Sequence, residues 1–294
     1  MINMNPADLI LIIFLLRKKE GSKVVVDFHT HLFPEKIAEK TVAMLADRGG
    51  LAPHTNGTAL DLIREMNEDG ADLSIVLPVV TSPKQFDSII RFAVKLNETY
   101  QTGEKRILSF GGIHPMSEHY KEELKELKQL GFLGIKLHPD YQDGVYFDDM
   151  RYKRIVDVAS DLGLIVSVHT GVDVGLPDPV HCTPQMALSV IRDVHPPKLV
   201  LAHLGGWKCW DEVEELLVGE DVYFDTAVAF GFCPEEQMLR IIRNHGADRI
   251  LFATDSPWSG QRQSLKALNG LGVTKEEKEK ICYKNAYHLL GIKE

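Results

Sequence analysis

Short runs of β-branched residues alternate along the chain with segments whose apolar positions recur every three or four residues. The runs predict strands at residues 23–28, 73–77, 107–111, 134–137, 164–168, 199–202, 222–224 and 250–253. Helical spacing lies between them. Asn56 and Thr58 form a capping pair ahead of Leu60, Ile63 and Met66. Residues 88–99 place Ile89, Phe92, Ala93 and Leu96 on one stripe, and residues 120–130 do so with Leu124, Leu127 and Leu130. Residues 152–162, 184–194, 209–218 and 234–244 behave likewise. Residues 275–290 close the chain with a face rich in Lys and Glu, most simply a solvated one.

Strict strand–helix alternation implies a parallel sheet with right-handed crossovers. Eight such units fit a closed (β/α)₈ barrel of the TIM type, an α/β fold. An open doubly wound sheet is the alternative, but the GxGxxG signature is absent. No Pro/Gly/Ser-rich linker and no repeat divides the chain. Residues 23–294 therefore read as one domain, with residues 1–22 as an N-terminal extension, mis-started or loosely packed.

Composition narrows the class. The 294 residues are 44% hydrophobic and 26% charged, as in ordinary globular proteins. A net charge of −9 argues against a general nucleic-acid surface, which needs clustered Lys and Arg. None of the four cysteines (Cys182, Cys209, Cys233, Cys282) forms CxxC, so reduced thiols and a cytoplasmic location are the expectation. The apolar run Leu9 to Leu16 is far shorter than the roughly 20 residues that span a bilayer. Basic residues follow that run rather than precede it, the reverse of a secretory signal. No membrane partner is expected, and a homo-oligomer is compatible with the sequence.

Chemistry in such a barrel belongs at the C-terminal strand ends. Strand 1 runs into Asp27-Phe28-His29-Thr30-His31. Residues two apart on an extended chain point the same way, so His29 and His31 leave together and offer two neutral nitrogens to one metal ion. The later strand ends carry His114-Pro115, Lys136-Leu137-His138-Pro139, His169-Thr170-Gly171, Leu201-Ala202-His203-Leu204-Gly205-Gly206, Asp225 and Thr254-Asp255-Ser256-Pro257-Trp258. Asp27 reads as a group that orients a histidine or caps a loop. His114 and His138 precede proline, where the backbone is extended, and serve either the substrate or the loop itself. Trp207 and Trp258 follow strand ends and read as pocket lining.

HxH after strand 1, one His after strands 5 and 6 and one Asp after strand 8 resemble the amidohydrolase superfamily. The phrases HTG, LAHLGG and LFATDSPW resemble its amidohydrolase-related (amidohydrolase 2) branch. That branch contains metal-dependent TIM-barrel hydrolases, lactonases and decarboxylases such as aminocarboxymuconate-semialdehyde decarboxylase. The resemblance implies a divalent metal, Zn before Mn or Fe, on His29, His31, His169 and Asp255. Asp255 and His203 would be catalytic, Asp255 as proton shuttle and His203 as an aid to water or substrate.

Lys136, His138, His203 and Trp258 would supply contacts to substrate or to a second metal. Phosphotriesterase-like relatives carbamylate a strand-4 lysine to bridge two metals, and Lys136 stands at a similar position. The alternative for Lys136 is a cation paired with Asp255 or a substrate carboxylate. The expected reaction is hydrolysis of an ester, lactone or amide of a small molecule. The alternative is non-oxidative decarboxylation of an aromatic or muconate-like acid. Hydrolysis leads because no dense Arg cluster stands at the strand ends, although Arg48, Arg64 or Arg91 could reach inward from loops.

Overall fold

Parallel strands alternate with helices, and the computed structural model describes them within residues 24–68, 70–100 and 102–293. The extension at residues 1–22 lies outside the described residues. The strands are β1 (Val26–Thr30), β2 (Leu73–Val76), β3 (Arg106–Ser109), β4 (Gly111–Gly112), β5 (Gly134–Leu137), β6 (Ile165–Val168), β7 (Leu199–Leu201), β8 (Tyr223–Asp225) and β9 (Ile250–Leu251). The helices are α1 (Glu35–Gly49), α2 (Ala59–Asn67), α3 (Phe86–Tyr100), α4 (Tyr120–Gln129), α5 (Met150–Asp161), α6 (Pro184–Val194), α7 (Trp210–Leu216), α8 (Glu235–His245), α9 (Gln261–Gly270), α10 (Lys275–Glu279) and α11 (Asn285–Leu290).

Parallel pairing runs β1–β2–β3 and β4–β5–β6–β7–β8–β9. The ring closes between first and last strands: Phe28 N donates to Phe252 O at 2.9 Å, and Thr30 bridges Ser256. The other seam lies inside the third predicted strand. There Asn97 on α3 brackets Ser109, accepting its N–H at 2.6 Å and donating to its carbonyl at 3.1 Å. The side-chain amide takes the backbone groups a neighbouring strand would use, so the ladder breaks at Phe110. Phe110 still donates to Val76 O at 2.9 Å and packs edge-on against Phe28 at 5.9 Å. Its ring fills the space a Cβ on Gly134 would need, only 2.5 Å away. The barrel is thus the expected (β/α)₈ ring, with β3 and β4 sharing one position.

Helix starts follow the expected chemistry. Thr58 caps α2 by accepting Asp61 N–H, and Asn56 in turn accepts the Thr58 N–H and hydroxyl. Thr274 and Glu277 form a capping box on α10. The last predicted helix is interrupted by a π-helical turn over Lys280–Lys284. That turn puts Asn285 Nδ2 within 2.7 Å of both Ala247 O and Ile250 O, and gives the Ile281 carbonyl to Phe252 N–H. The closing helix is tied to the strand that carries Asp255 at its end.

One buried histidine serves the fold alone. His245 at the end of α8 stacks on Phe224 (3.9 Å), donates from Nε2 to Val222 O at 2.9 Å and accepts Gly219 N–H on Nδ1. A proton on Nδ1 would break the second bond. Burial holds this imidazole down at about 4. A group whose folded value is depressed stabilises above its unfolded value near 6.5 and loses that contribution as pH falls toward 4. His245→Gln is therefore expected to flatten the stability–pH curve between pH 6.5 and 4, removing up to about 3 kcal/mol of acid sensitivity. Urea unfolding at several pH values measures it; parallel curves for the two proteins would contradict it.

Candidate active site

β1 does not behave as a regular strand, and that shapes the site. Its pairing with β2 shifts register between Asp27 and Thr30. Asp27 and His29, two residues apart, consequently turn to different partners. Asp27 accepts from Thr254 Oγ1 (2.6 Å) and Gln261 Nε2 (2.9 Å), with backbone N–H groups of His29 and Thr254 on its other oxygen. Burial pushes this carboxyl up to about 7 against those bonds. It locks β1 to the end of the last strand. Of the two expected roles, orienting the segment that holds His29 is the one the geometry supports.

His29 and His31 turn together, toward Asp255. Asp255 Oδ1 lies 3.2 Å from His29 Nε2 and 3.0 Å from His31 Nε2, and those nitrogens are 3.2 Å apart. The second nitrogen of each ring fixes its tautomer. His29 Nδ1 donates to Asp225 Oδ2 at 2.9 Å, and His31 Nδ1 donates to Leu77 O at 2.8 Å. Both Nε2 atoms are therefore unprotonated, the Lys136 ammonium being the donor that reaches His29 Nε2, and Asp255 Oδ1 has no hydrogen-bond donor. Three acceptors converging without a proton between them form a group that could hold one cation.

Two positions here are conformationally unusual. Asp255 (φ 66°) and His203 (φ 59°) occupy the left-handed region, sparsely used by residues other than glycine. Backbone bonds hold them: Asp255 N donates to His29 O at 2.7 Å, and Leu204 N to Asp225 O at 2.6 Å. Such strain concentrates where side chains must be aimed.

Lys136 on β5 is fully buried, with Nζ 3.0 Å from His29 Nε2. Its ammonium donates to that bare nitrogen. Burial brings it down to about 8, opposed by Asp225 and Asp255. It stands as the cation beside the carboxylates.

His169 is placed differently from the sequence expectation. Its Nδ1 donates to His203 Nε2 at 2.9 Å, because His203 Nδ1 is committed to Ala227 O at 2.9 Å. Its Nε2 faces Asp140 Oδ2 at 3.9 Å. The ring stacks on His138 (4.2 Å, 7°), and His138 Nε2 is 3.6 Å from Asp173 Oδ2. Among the described residues, ligand-type atoms thus gather in two groups, His29–His31–Asp255 and His138–His169–Asp173. His169 falls in the second because its inner nitrogen is taken by His203. Burial holds His29, His138 and His169 neutral, with their values well below the usual range.

The sequence reading left three residues without roles. Asp225 fixes the His29 tautomer and accepts backbone N–H groups of His203 (2.9 Å) and Ala227 (3.0 Å), so one carboxylate aims both histidines. Asp140 accepts from His181 Nδ1 at 2.8 Å, and Asp173 faces His138. His114 keeps a loop role, accepting Met116 N–H on Nδ1. Asp225→Asn is expected to weaken metal affinity about 10- to 100-fold by unfixing the His29 tautomer. Manganese titration measures it; wild-type affinity would contradict it.

His29, His31, Lys136, His138, His169, Asp173, His203 and Asp255 line a cavity of about 710 Å³ together with Trp207, Trp258, Phe33, Val79 and Phe92. Among the described residues, Arg48 on α1 is the single arginine on its wall. Arg64 instead pairs with Asp61, and Arg262 lines a separate recess.

A parallel eight-position barrel with a His/Asp cluster at its C-terminal mouth defines the class: a metal-dependent TIM-barrel enzyme. The particular family follows from its sequence model. Residues 26–292 match the amidohydrolase model Amidohydro_2, and the chain belongs to that family. No curated protein matches significantly. Solved structures do. A 5-carboxyvanillate decarboxylase from Novosphingobium aromaticivorans, complexed with manganese and a nitrobenzoic acid, aligns with TM-score 0.73 at 15% identity over 94% of this chain and 98% of its own. A 2,6-dihydroxybenzoate decarboxylase from Rhizobium aligns with TM-score 0.68 at 18% identity over 92% and 99%. A probable 2-pyrone-4,6-dicarboxylic acid hydrolase from Acinetobacter baumannii aligns with TM-score 0.62 at 15% identity over 91% and 99%. At these identities the likeness speaks for the fold. No described helix is long and apolar enough to cross a membrane.

Proposed function

We propose that the protein is a metal-dependent, non-oxidative decarboxylase of a small aromatic acid. This reverses the order of the two reactions weighed from sequence. The observation that carries it is the fully buried Lys136 ammonium beside the His29–His31–Asp255 acceptors, on the floor of a cavity walled by aromatic and aliphatic side chains. A buried cation facing an apolar cavity suits a carboxylate attached to a ring. The decarboxylases among the similar structures support the same choice. Manganese replaces zinc as the proposed metal, because two of the similar decarboxylases carry it.

Bound at His29, His31 and Asp255, the cation would supply Lewis-acid charge to the oxygens of the substrate head. Lys136 binds the carboxylate. His203, held by Ala227 O and by His169 Nδ1, keeps the two imidazoles in fixed orientation. Asp255 takes the proton of the substrate's phenol and delivers it to the ring carbon that bears the carboxylate. The bond between that carbon and the carboxylate then breaks. Its electron pair stays with the ring and carbon dioxide leaves. Trp207, Trp258 and Phe92 exclude water from the ring.

Hydrolysis is the second reading, favoured by the bare acceptor cluster, which equally suits metal-activated water. Manganese-loaded protein is expected to release carbon dioxide from 2,6-dihydroxybenzoate or 5-carboxyvanillate, and to leave γ-lactones and phenyl esters intact. Hydrolysis of the lactones without carbon dioxide release would reverse the assignment.

A further inference from the structure

The cavity is far larger than one benzoate ring needs. At about 710 Å³ it has room for roughly two dozen waters at about 30 Å³ each. The excess lies along α1. That helix buries only Ala38 and Val42. Its Ile37 and Met44, each 50% exposed, line the cavity with Leu45, opposite Ile89 and Phe92 of α3. Large apolar side chains left half open on one concave wall mark a binding surface. The wall from Ile37 to Arg48 covers about 16 Å of helix axis at 1.5 Å per residue. Lys136 and Asp255 stand with the metal-type acceptors, and Arg48 reaches Tyr141 and Gly175 beside Asp173; the wall along Ile37, Met44, Ile89 and Phe92 offers Thr41, Thr81, Gln85 and Ser88 and, among the described residues, no charged side chain. The lining is continuous from the metal-type acceptors to solvent.

We infer that the substrate is amphipathic: an acidic ring at Lys136 carrying an apolar tail of about five or more carbons, laid between α1 and α3. Only the identity of the head rests on the decarboxylase reading. The tail is read from the cleft alone.

The test is a chain-length series on the full-length, manganese-loaded protein, read by quenching of Trp207 and Trp258. Probes are 2,6-dihydroxybenzoate with hydrogen, methyl or pentyl at carbon 4, and γ-lactones with methyl or pentyl tails. In at least one head series the pentyl probe is expected to bind at least about tenfold tighter than the methyl one, as two- to fourfold per buried methylene implies. Ile37→Glu and Met44→Glu are each expected to abolish most of that gain, leaving the Kd of the hydrogen-bearing probe within about twofold.

Equal affinities along both series would overturn the inference, as would the lack of saturable quenching by either pentyl probe. A length gain that survives both substitutions places the tail elsewhere and also overturns it. A gain seen only when the N-terminal apolar run carries Ile12→Glu and Phe14→Glu assigns the cleft to that run instead, and overturns it. The two readings separate cleanly. Length dependence without carbon dioxide release keeps the tail and removes the decarboxylase, and carbon dioxide release without length dependence does the reverse.

Discussion

The Asp255→Asn protein is expected to lose at least about 10³-fold in kcat/KM for decarboxylation and most of its affinity for manganese. Asparagine tolerates the left-handed backbone at φ 66°, so the strand end keeps its shape. What disappears is the charge. Two bare imidazole nitrogens then face an amide, and a divalent cation loses its one anionic ligand in the triad. In the proposed mechanism the proton carrier is lost with it. Metal stabilisation of developing charge supplies several kcal/mol, and about 4 kcal/mol corresponds to 10³-fold. Steady-state kinetics with metal analysis checks this. A variant with wild-type metal content and a rate within tenfold of wild type would show that Asp255 is neither ligand nor proton carrier.

Lys136→Met is expected to separate binding of the substrate from binding of the metal. Methionine fills a similar volume without the ammonium. The metal ligands remain, so manganese content should hold at about one equivalent. Affinity for the aromatic acid should fall, with kcat/KM down about 100-fold, because truncating one partner of a buried charged pair costs about 2–5 kcal/mol. Stability should not suffer in proportion: an ammonium that burial brings down to about 8 is a cost to the fold. Its folded value lies below the unfolded one near 10.4, so the penalty is present at neutral pH and relieved as pH rises through that window. Isothermal titration with 2,6-dihydroxybenzoate, run beside metal analysis, resolves the two effects. Loss of manganese from Lys136→Met would instead make Lys136 part of the metal site, as the bridging carbamate expected from phosphotriesterase-like relatives requires.

Much of the frame was legible in the chain because strand and helix periods are local properties. The alternation of 2.0 and 3.6 periods gave the eight barrel positions, and the placement of His29, His31, Lys136, His203 and Asp255 at strand ends followed from counting. What escaped depends on partners distant in sequence. The break at Phe110 comes from Asn97 bracketing Ser109, which no period reports. The π-helical turn serves Asn285 and Ile281, whose partners lie some thirty residues earlier. Asp225 stood at a strand end in the sequence, but its role needs His29 Nδ1 at 2.9 Å. His169 shows the limit most clearly. A sequence can place a histidine at the barrel mouth; only the bond from its Nδ1 to His203 says which way its second nitrogen faces. Arg48 reaches the cavity from α1, because that helix lies beside the mouth.

The central claim is that a divalent cation at His29, His31 and Asp255 drives decarboxylation. Chelator-stripped protein titrated with manganese, with carbon dioxide release from 2,6-dihydroxybenzoate as the readout, tests it most directly. The account predicts no release from the stripped protein and a rate that climbs to a plateau at about one equivalent, with His31→Ala silent throughout. Undiminished release from stripped protein, or full activity in His31→Ala, would contradict it.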